Sequence, residues 1–190
     1  EASGSLGVHW GADDNNSGAA DRSVTFTAAT INALDALHLR SNGTTIHYTL
    51  SDDNTLLTAK AGSVTVFTVQ LSDASVNGSY TFSLLDNIDH RGSGASVQDL
   101  TFDFTATDSD GDTTAPASFT VSIVDDAPVA GVGDHRDVNE SHLLTGTDPD
   151  IFALPVSGSL HIDWNSDDHN SGQFANRSVS FASADVKVTD

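Results

Sequence analysis

The sequence contains no cysteine, so no disulfide can brace it. It contains no methionine either, not even at position 1, which predicts a piece of a longer chain. Basic residues are scarce. Lys and Arg number 7 against 27 Asp and Glu, a formal charge of −20 over 190 residues. Such a field repels nucleic acid and anionic membrane surfaces and favours a cation as partner. No apolar run approaches the roughly 20 residues that a membrane-spanning helix needs, so membrane insertion is not expected. No signal peptide is visible.

What is present is a hydrophobic fraction of 37%, enough for a core. The length suits one large domain, or one domain plus part of another. An acidic, lysine-poor chain rich in Thr, Ser, Asn and Gly has the composition of a bacterial surface protein.

The chain repeats itself. "GSLGVHWGADDNNSG" at 4–18 matches "GSLHIDWNSDDHNSG" at 158–172, an offset of 158 − 4 = 154. After one inserted residue the match resumes, "RSVTF" at 22–26 against "RSVSF" at 177–181. One full period and the opening of the next are therefore present.

The periodicity is that of β-strands. Runs at 23–28, 45–50, 56–61, 64–71, 79–85, 100–107 and 118–124 carry Val, Ile, Phe, Tyr and Thr, and several alternate as half-buried strands do. In "LTFDFTAT" (100–107), Leu100, Phe102, Phe104 and Ala106 share a face. Asn42-Gly43, Ala61-Gly62, Asn77-Gly78 and Asp110-Gly111 mark turns between the runs. Only 29–40 reads as a short helix. Short strands with tight turns and no covering helices predict an all-β, antiparallel β-sandwich with Greek-key links. Trp10 and Trp164 hold equivalent places, and the alternation of Leu6, Val8 and Trp10 predicts that Trp10 is a core residue.

"VDDAPVAG" (124–131) reads as a boundary, because Pro128 stiffens an extended connection. The expected division is one sandwich unit over 1–126, then a linker and the start of the next unit over 127–190. The alternative division cuts near 35–45, with 1–35 closing a preceding unit.

"DSDGD" (108–112) crowds three carboxylates into one turn. Asp108, Asp110 and Asp112 alternate, so they can point to one side, and Gly111 permits the bend. A hard cation offsets their repulsion, and Ca2+ takes 6–8 oxygens in irregular geometry. The loop is not an EF-hand, since Phe119 stands where the bidentate Glu is required. Asp125 and Asp126 follow one strand later and belong at the opposite pole. Their expected co-ligands are Asp137, Asn139 or Glu140 of the following segment. Asp86, Asp89, the Asp52–Asp53 pair and the repeated pairs Asp13–Asp14 and Asp167–Asp168 are further metal candidates.

The ordered motifs carry a resemblance. Residues 100–130 resemble the closing half of the repeat in giant bacterial RTX adhesins exported by type I secretion. Residues 4–31 and 80–90 resemble other parts of that repeat. The resemblance implies an immunoglobulin-like β-sandwich extender, strung in tandem and rigidified by calcium at its junctions. It implies a place outside the cell, on the bacterial surface, in adhesion and biofilm formation. The partners it implies are calcium and the neighbouring repeats of the same chain, with the fragment itself monomeric.

An enzyme is not expected. The eight histidines show no HExxH or HxH spacing, and the repeat replaces His9 with Asp163, so they are read as scattered surface or turn residues. "GSG" at 92–94 lacks the surroundings of a nucleophile elbow. Aspartates lie in turns, and aromatics to stack a sugar in a hydrolytic cleft are few. The alternative function is a calcium-dependent sugar- or peptide-binding module of such an adhesin.

Overall fold

The computed structural model describes residues 1–16, 21–90, 96–150, 155–166 and 177–181. The fold is all-β with antiparallel sheets. The larger sheet has the order β1-β7-β6-β5-β4-β3, built from β1 (Ala2–Ser5), β3 (Arg40–Ser41), β4 (Thr44–Leu50), β5 (Leu56–Ala61), β6 (Val64–Ser72) and β7 (Ser79–Leu84). The smaller has the order β2-β8-β9, from β2 (Ser23–Phe26), β8 (Val97–Thr107) and β9 (Ala117–Val124).

The alternating residues of β8 supply the core. Leu100, Phe102, Phe104 and Ala106 are buried, while Thr101 and Thr105 point away and are exposed or half-buried. The two sheets meet through aromatic rings. Phe102 of β8 packs edge-on against Phe67 of β6 at 6.5 Å between centroids. Phe119 of β9 stacks on Tyr80 of β7 at 4.0 Å. This is the face-to-face packing of a sandwich.

Most links within the larger sheet are short. β1 lies beside β7 across a long connection, and strands β3 to β7 are consecutive neighbours, a meander. The reason is local. Tight turns with residues in the left-handed region, Asn42, Gly43, Asn54, Gly62 and Gly78, return each strand beside its predecessor. The expected helix is α1 (Ala28–Ala36). Its N-cap Thr27 makes no side-chain cap bond. Thr30 fixes it instead: its hydroxyl donates to the Asp103 carbonyl at 2.7 Å and accepts from the Asp103 amide at 2.8 Å.

The described residues of the opening segment, 1–16 and 21–26, contribute to this core. Val8, Trp10, Val24 and Phe26 pack in one cluster with residues from Leu34 to Ile123. The core position expected for Trp10 holds, at 7% exposure. A guanidinium organises the approach to β2. Arg22 lies 4.9 Å from the Trp10 ring centroid and donates to the carbonyls of Asp14, Asp73 and Ser75.

The following segment is not a free tether. β10 (Val129–Ala130) pairs antiparallel with β11 (Ile162–Asp163). Asp134 gathers the same hairpin: it accepts from Ser159 N and Arg136 Nη2 and sits 2.8 Å from His161 Nε2. These donors, His161 first, hold the Asp134 carboxyl below its ordinary range. No helix among the described residues is long and apolar enough to cross a membrane.

Candidate metal centre

At the end of β8 the chain turns through Asp108–Asp112. The Asp108 carboxylate accepts from the amides of Gly111 (3.2 Å) and Asp112 (2.8 Å), closing the turn on itself. Gly111 adopts φ +104°, which a side chain would oppose. The turn then meets a distant loop. Ser109 donates both its amide (3.1 Å) and its hydroxyl (3.0 Å) to the Asp13 carbonyl.

That contact brings Asp13 to Asp108 and Asp110, with a carboxylate oxygen of each within 4.8 Å of the others. Two ligands on opposite sides of an ion at ~2.4 Å are ~4.8 Å apart at most, so one calcium can reach all three. The donor set is all oxygen, the chemistry a hard cation prefers. These three residues would suit calcium as part of its oxygen shell.

The electrostatics follow from the geometry. Asp110 is pushed above its ordinary value by its hydrogen bond with Asp108 and by the negative charges of Asp108 and Asp13. Asp108 is held below its ordinary value by the Asp110 hydrogen bond and by the amides of Asp112 and Gly111. When the pair takes up a proton, Asp110 is the group that holds it.

On the acidic side a cation competes with that proton. Calcium affinity is therefore expected to fall as pH drops from neutrality towards 3.8, the ordinary aspartate value, through the raised range of Asp110. Titration calorimetry in two buffers should show proton release growing on the acidic side. An affinity constant across that range would remove Asp110 from the ligand set. Without an ion, the two groups act on stability in opposite senses. Asp110 binds its proton more tightly when folded, so its contribution favours the fold at low pH and is lost as pH rises through its raised value. Asp108 contributes stability above 3.8 that is lost as pH falls through its lowered value.

The remaining candidates fall elsewhere. Asp112 lies in the same turn but outside the three-carboxylate group, its backbone rather than its carboxylate tying it to Asp108. Asp125 and Asp126 lie at the other end of the β8–β9 hairpin, as the register of Val97 with Val124 and the bridge of Thr107 with Thr113 require. They do not act as a pair. Asp125 turns inward, 3.2 Å from His90 Nδ1, with both side chains nearly buried. Asp126 turns outward and accepts from the amide (3.3 Å) and hydroxyl (3.0 Å) of Ser166.

The residues expected to join them have local partners: Asp137 lies 3.1 Å from His135, and Asn139 accepts from Ser141 N. Glu140 starts a short 3₁₀ turn, Glu140–His142. Among the described residues, Asp125, Asp126 and Glu140 form no three-carboxylate group. Asp89 accepts from Gly43 N at 2.8 Å and so braces the β3–β4 turn. Asp86 accepts from Asn87 N. Asp53 caps its own turn, accepting from Ser51 and Thr55, which hold it below its ordinary value. Asp167 and Asp168 lie outside the described residues.

Sequence reasoning named Asp13 as a metal candidate without joining it to the turn, and it misplaced His90. Asp13 was one of several acidic pairs, with nothing in the sequence to join it to "DSDGD". His90 was read with the other histidines as a surface or turn residue, yet its side chain is only 6% exposed.

The molecule so defined is an antiparallel β protein whose core lies between its two larger sheets, with three carboxylates gathered at one pole. No family model, no curated protein and no solved structure matches the chain.

Proposed function

We propose that the chain is a structural spacer: a tandem repeat of a large secreted, surface-anchored bacterial adhesin, stiffened by calcium. The reading is carried by one observation. Asp126, at the tail of the first unit, holds Ser166 of the following segment. Ser166 is the counterpart of Ala12 at the offset of 154, since 166 − 154 = 12, and Ala12 stands next to Asp13. In an array, the tail aspartate of one unit then lies beside the Asp13 position of the next. The triad of the later unit and the tail of the earlier one face each other across the junction. Calcium there replaces repulsion among carboxylates with shared ligands, and the joint stiffens.

Support for a secreted, adhesive setting comes from the ordered motifs "DSDGD" and "VDDAPVA" and from the charge of −20. Support for a spacer comes from repetition. A binding tip needs one copy, whereas a stalk needs many.

The expected result is mechanical. A chain of several repeats should reach a larger maximum dimension by small-angle scattering in millimolar calcium than in chelator. Asp126→Ala at every junction should abolish the difference while each unit stays folded. The same dimension in both conditions would refute the calcium joint.

A further inference from the structure

Buried polar groups in a folded protein have partners, and one that lacks a partner needs a physical reason. The imidazole of His90 is such a group. Its side chain is 6% exposed, yet Nδ1 makes no hydrogen bond. The other ring nitrogen is engaged. Nε2 lies 3.4 Å from the Ile123 carbonyl, which can only accept, so Nε2 carries the proton and donates it. In that tautomer Nδ1 presents a lone pair. What it faces is another acceptor, Asp125 Oδ1, 3.2 Å away.

Asp125 is held in that position. Its amide donates to the Ser96 carbonyl at 2.8 Å, and the Ser96 hydroxyl donates to Oδ2 at 3.5 Å. Oδ1 is left to His90. Two nearly buried acceptors turned on each other repel. A proton on Nδ1 would relieve this by pointing at Oδ1, but Nδ1 forms no such hydrogen bond. A metal ion bound to both relieves it from the side. Two ligands of one tetrahedral ion at ~2.1 Å lie about 3.4 Å apart, close to the observed 3.2 Å. The Ile123 carbonyl then acts as the partner behind a metal-bound imidazole, fixing its tautomer and orienting the ring.

The pair lines a cavity of about 360 Å³, together with Asp86, Asp126 and Ser166. Such a polar cavity has room for water beside an ion. The ligand types select the ion. Calcium takes oxygen, whereas an imidazole nitrogen with a carboxylate suits zinc and its neighbours. We infer that His90 Nδ1 and Asp125 Oδ1 are two ligands of a zinc-like divalent cation, with water supplying the other positions. The site is separate from the carboxylates of Asp13, Asp108 and Asp110, which lie at the other end of the β8–β9 hairpin. The ion joins the segment after β7 to the end of β9, one residue before the contact of Asp126 with Ser166.

Zinc titrated into the 190-residue chain in millimolar calcium should fill one tight site per chain that calcium does not displace. H90Q and D125N should each weaken that site by about tenfold or more. H135Q with H161Q, which removes two exposed His–Asp pairs, should leave it intact. In the natural chain, imidazole nitrogen resonances should show the Nδ1 signal of His90 move on zinc binding while Nε2 keeps its proton. If H90Q fails to fold, D125N and these resonances still decide. No tight zinc site, a site that survives both H90Q and D125N, a site lost with H135Q and H161Q, or a His90 Nδ1 signal unmoved by saturating zinc would overturn the inference.

Discussion

Replacing Phe102 with Ala is expected to lower the unfolding free energy by ~3–5 kcal/mol, the range for an aromatic removed from a packed core. Phe102 is fully buried and is the ring on which both sheets converge. It contacts Phe26, Phe67, Phe82 and Phe119 at 5.2–6.5 Å between centroids. Its loss opens a cavity lined by residues of β2, β6, β7 and β9, which cannot all close in together. Urea denaturation followed by tyrosine and tryptophan fluorescence measures the change. Val97→Ala on the same strand, at a site 59% exposed, is the control and should shift the midpoint little. Similar losses at both sites would contradict a core centred on Phe102.

The second large effect is expected at Arg22. Its side chain reaches three carbonyls on two loops: Asp14 at 3.1 Å, Asp73 at 2.9 and 3.2 Å, and Ser75 at 3.1 Å. Its guanidinium also covers Trp10. Arg22→Ala leaves those carbonyls without their donor and uncovers the indole, a cost of about 3 kcal/mol. Arg22→Lys should recover less than half of that, because an ammonium cannot fork to several acceptors and stack at once. The substitution should reach the metal centre too. The loop that Arg22 pins at Asp14 carries Asp13, so calcium affinity should fall along with stability. Full recovery by lysine would show that charge alone, and not the fork, holds the loops together.

Much of the fold was legible because it rests on short-range signals. The alternation of Leu100, Phe102, Phe104 and Ala106 identified β8 and its inward face. Turn residues such as Asn42 and Gly62 marked where strands reverse. The duplicated Trp placed Trp10 in the core, because a residue kept in register with Leu6 and Val8 shares their side. What was not legible depends on pairing at long range. The strand order follows from which hairpins stack, and no local signal carries that.

The site shows the same divide. The turn "DSDGD" is local and was visible, but Asp13 joins it through a contact spanning 96 residues. Asp125 and Asp126 looked like a pair because they are adjacent. In an extended chain, adjacent side chains leave on opposite faces, so one meets His90 inside and the other Ser166 outside. His90 has no periodic context to reveal its burial. It lies two residues after Ile88, which is 3% exposed, and meets Asp125 and the Ile123 carbonyl at the end of β9.

The claim on which the proposed function depends is that Asp13, Asp108 and Asp110 bind calcium in the folded chain. The measurement is the melting temperature of the 190-residue protein in millimolar calcium and in chelator, alongside Asp110→Asn. A ligand at 100 times its dissociation constant stabilises by ~2.7 kcal/mol, on the order of 10 °C for a fold of this size. The natural chain should gain that much in calcium. Asp110→Asn should melt higher than the natural chain in chelator, because one repelling charge is gone, and should gain little from calcium. Equal midpoints for the natural chain in calcium and in chelator would contradict the account.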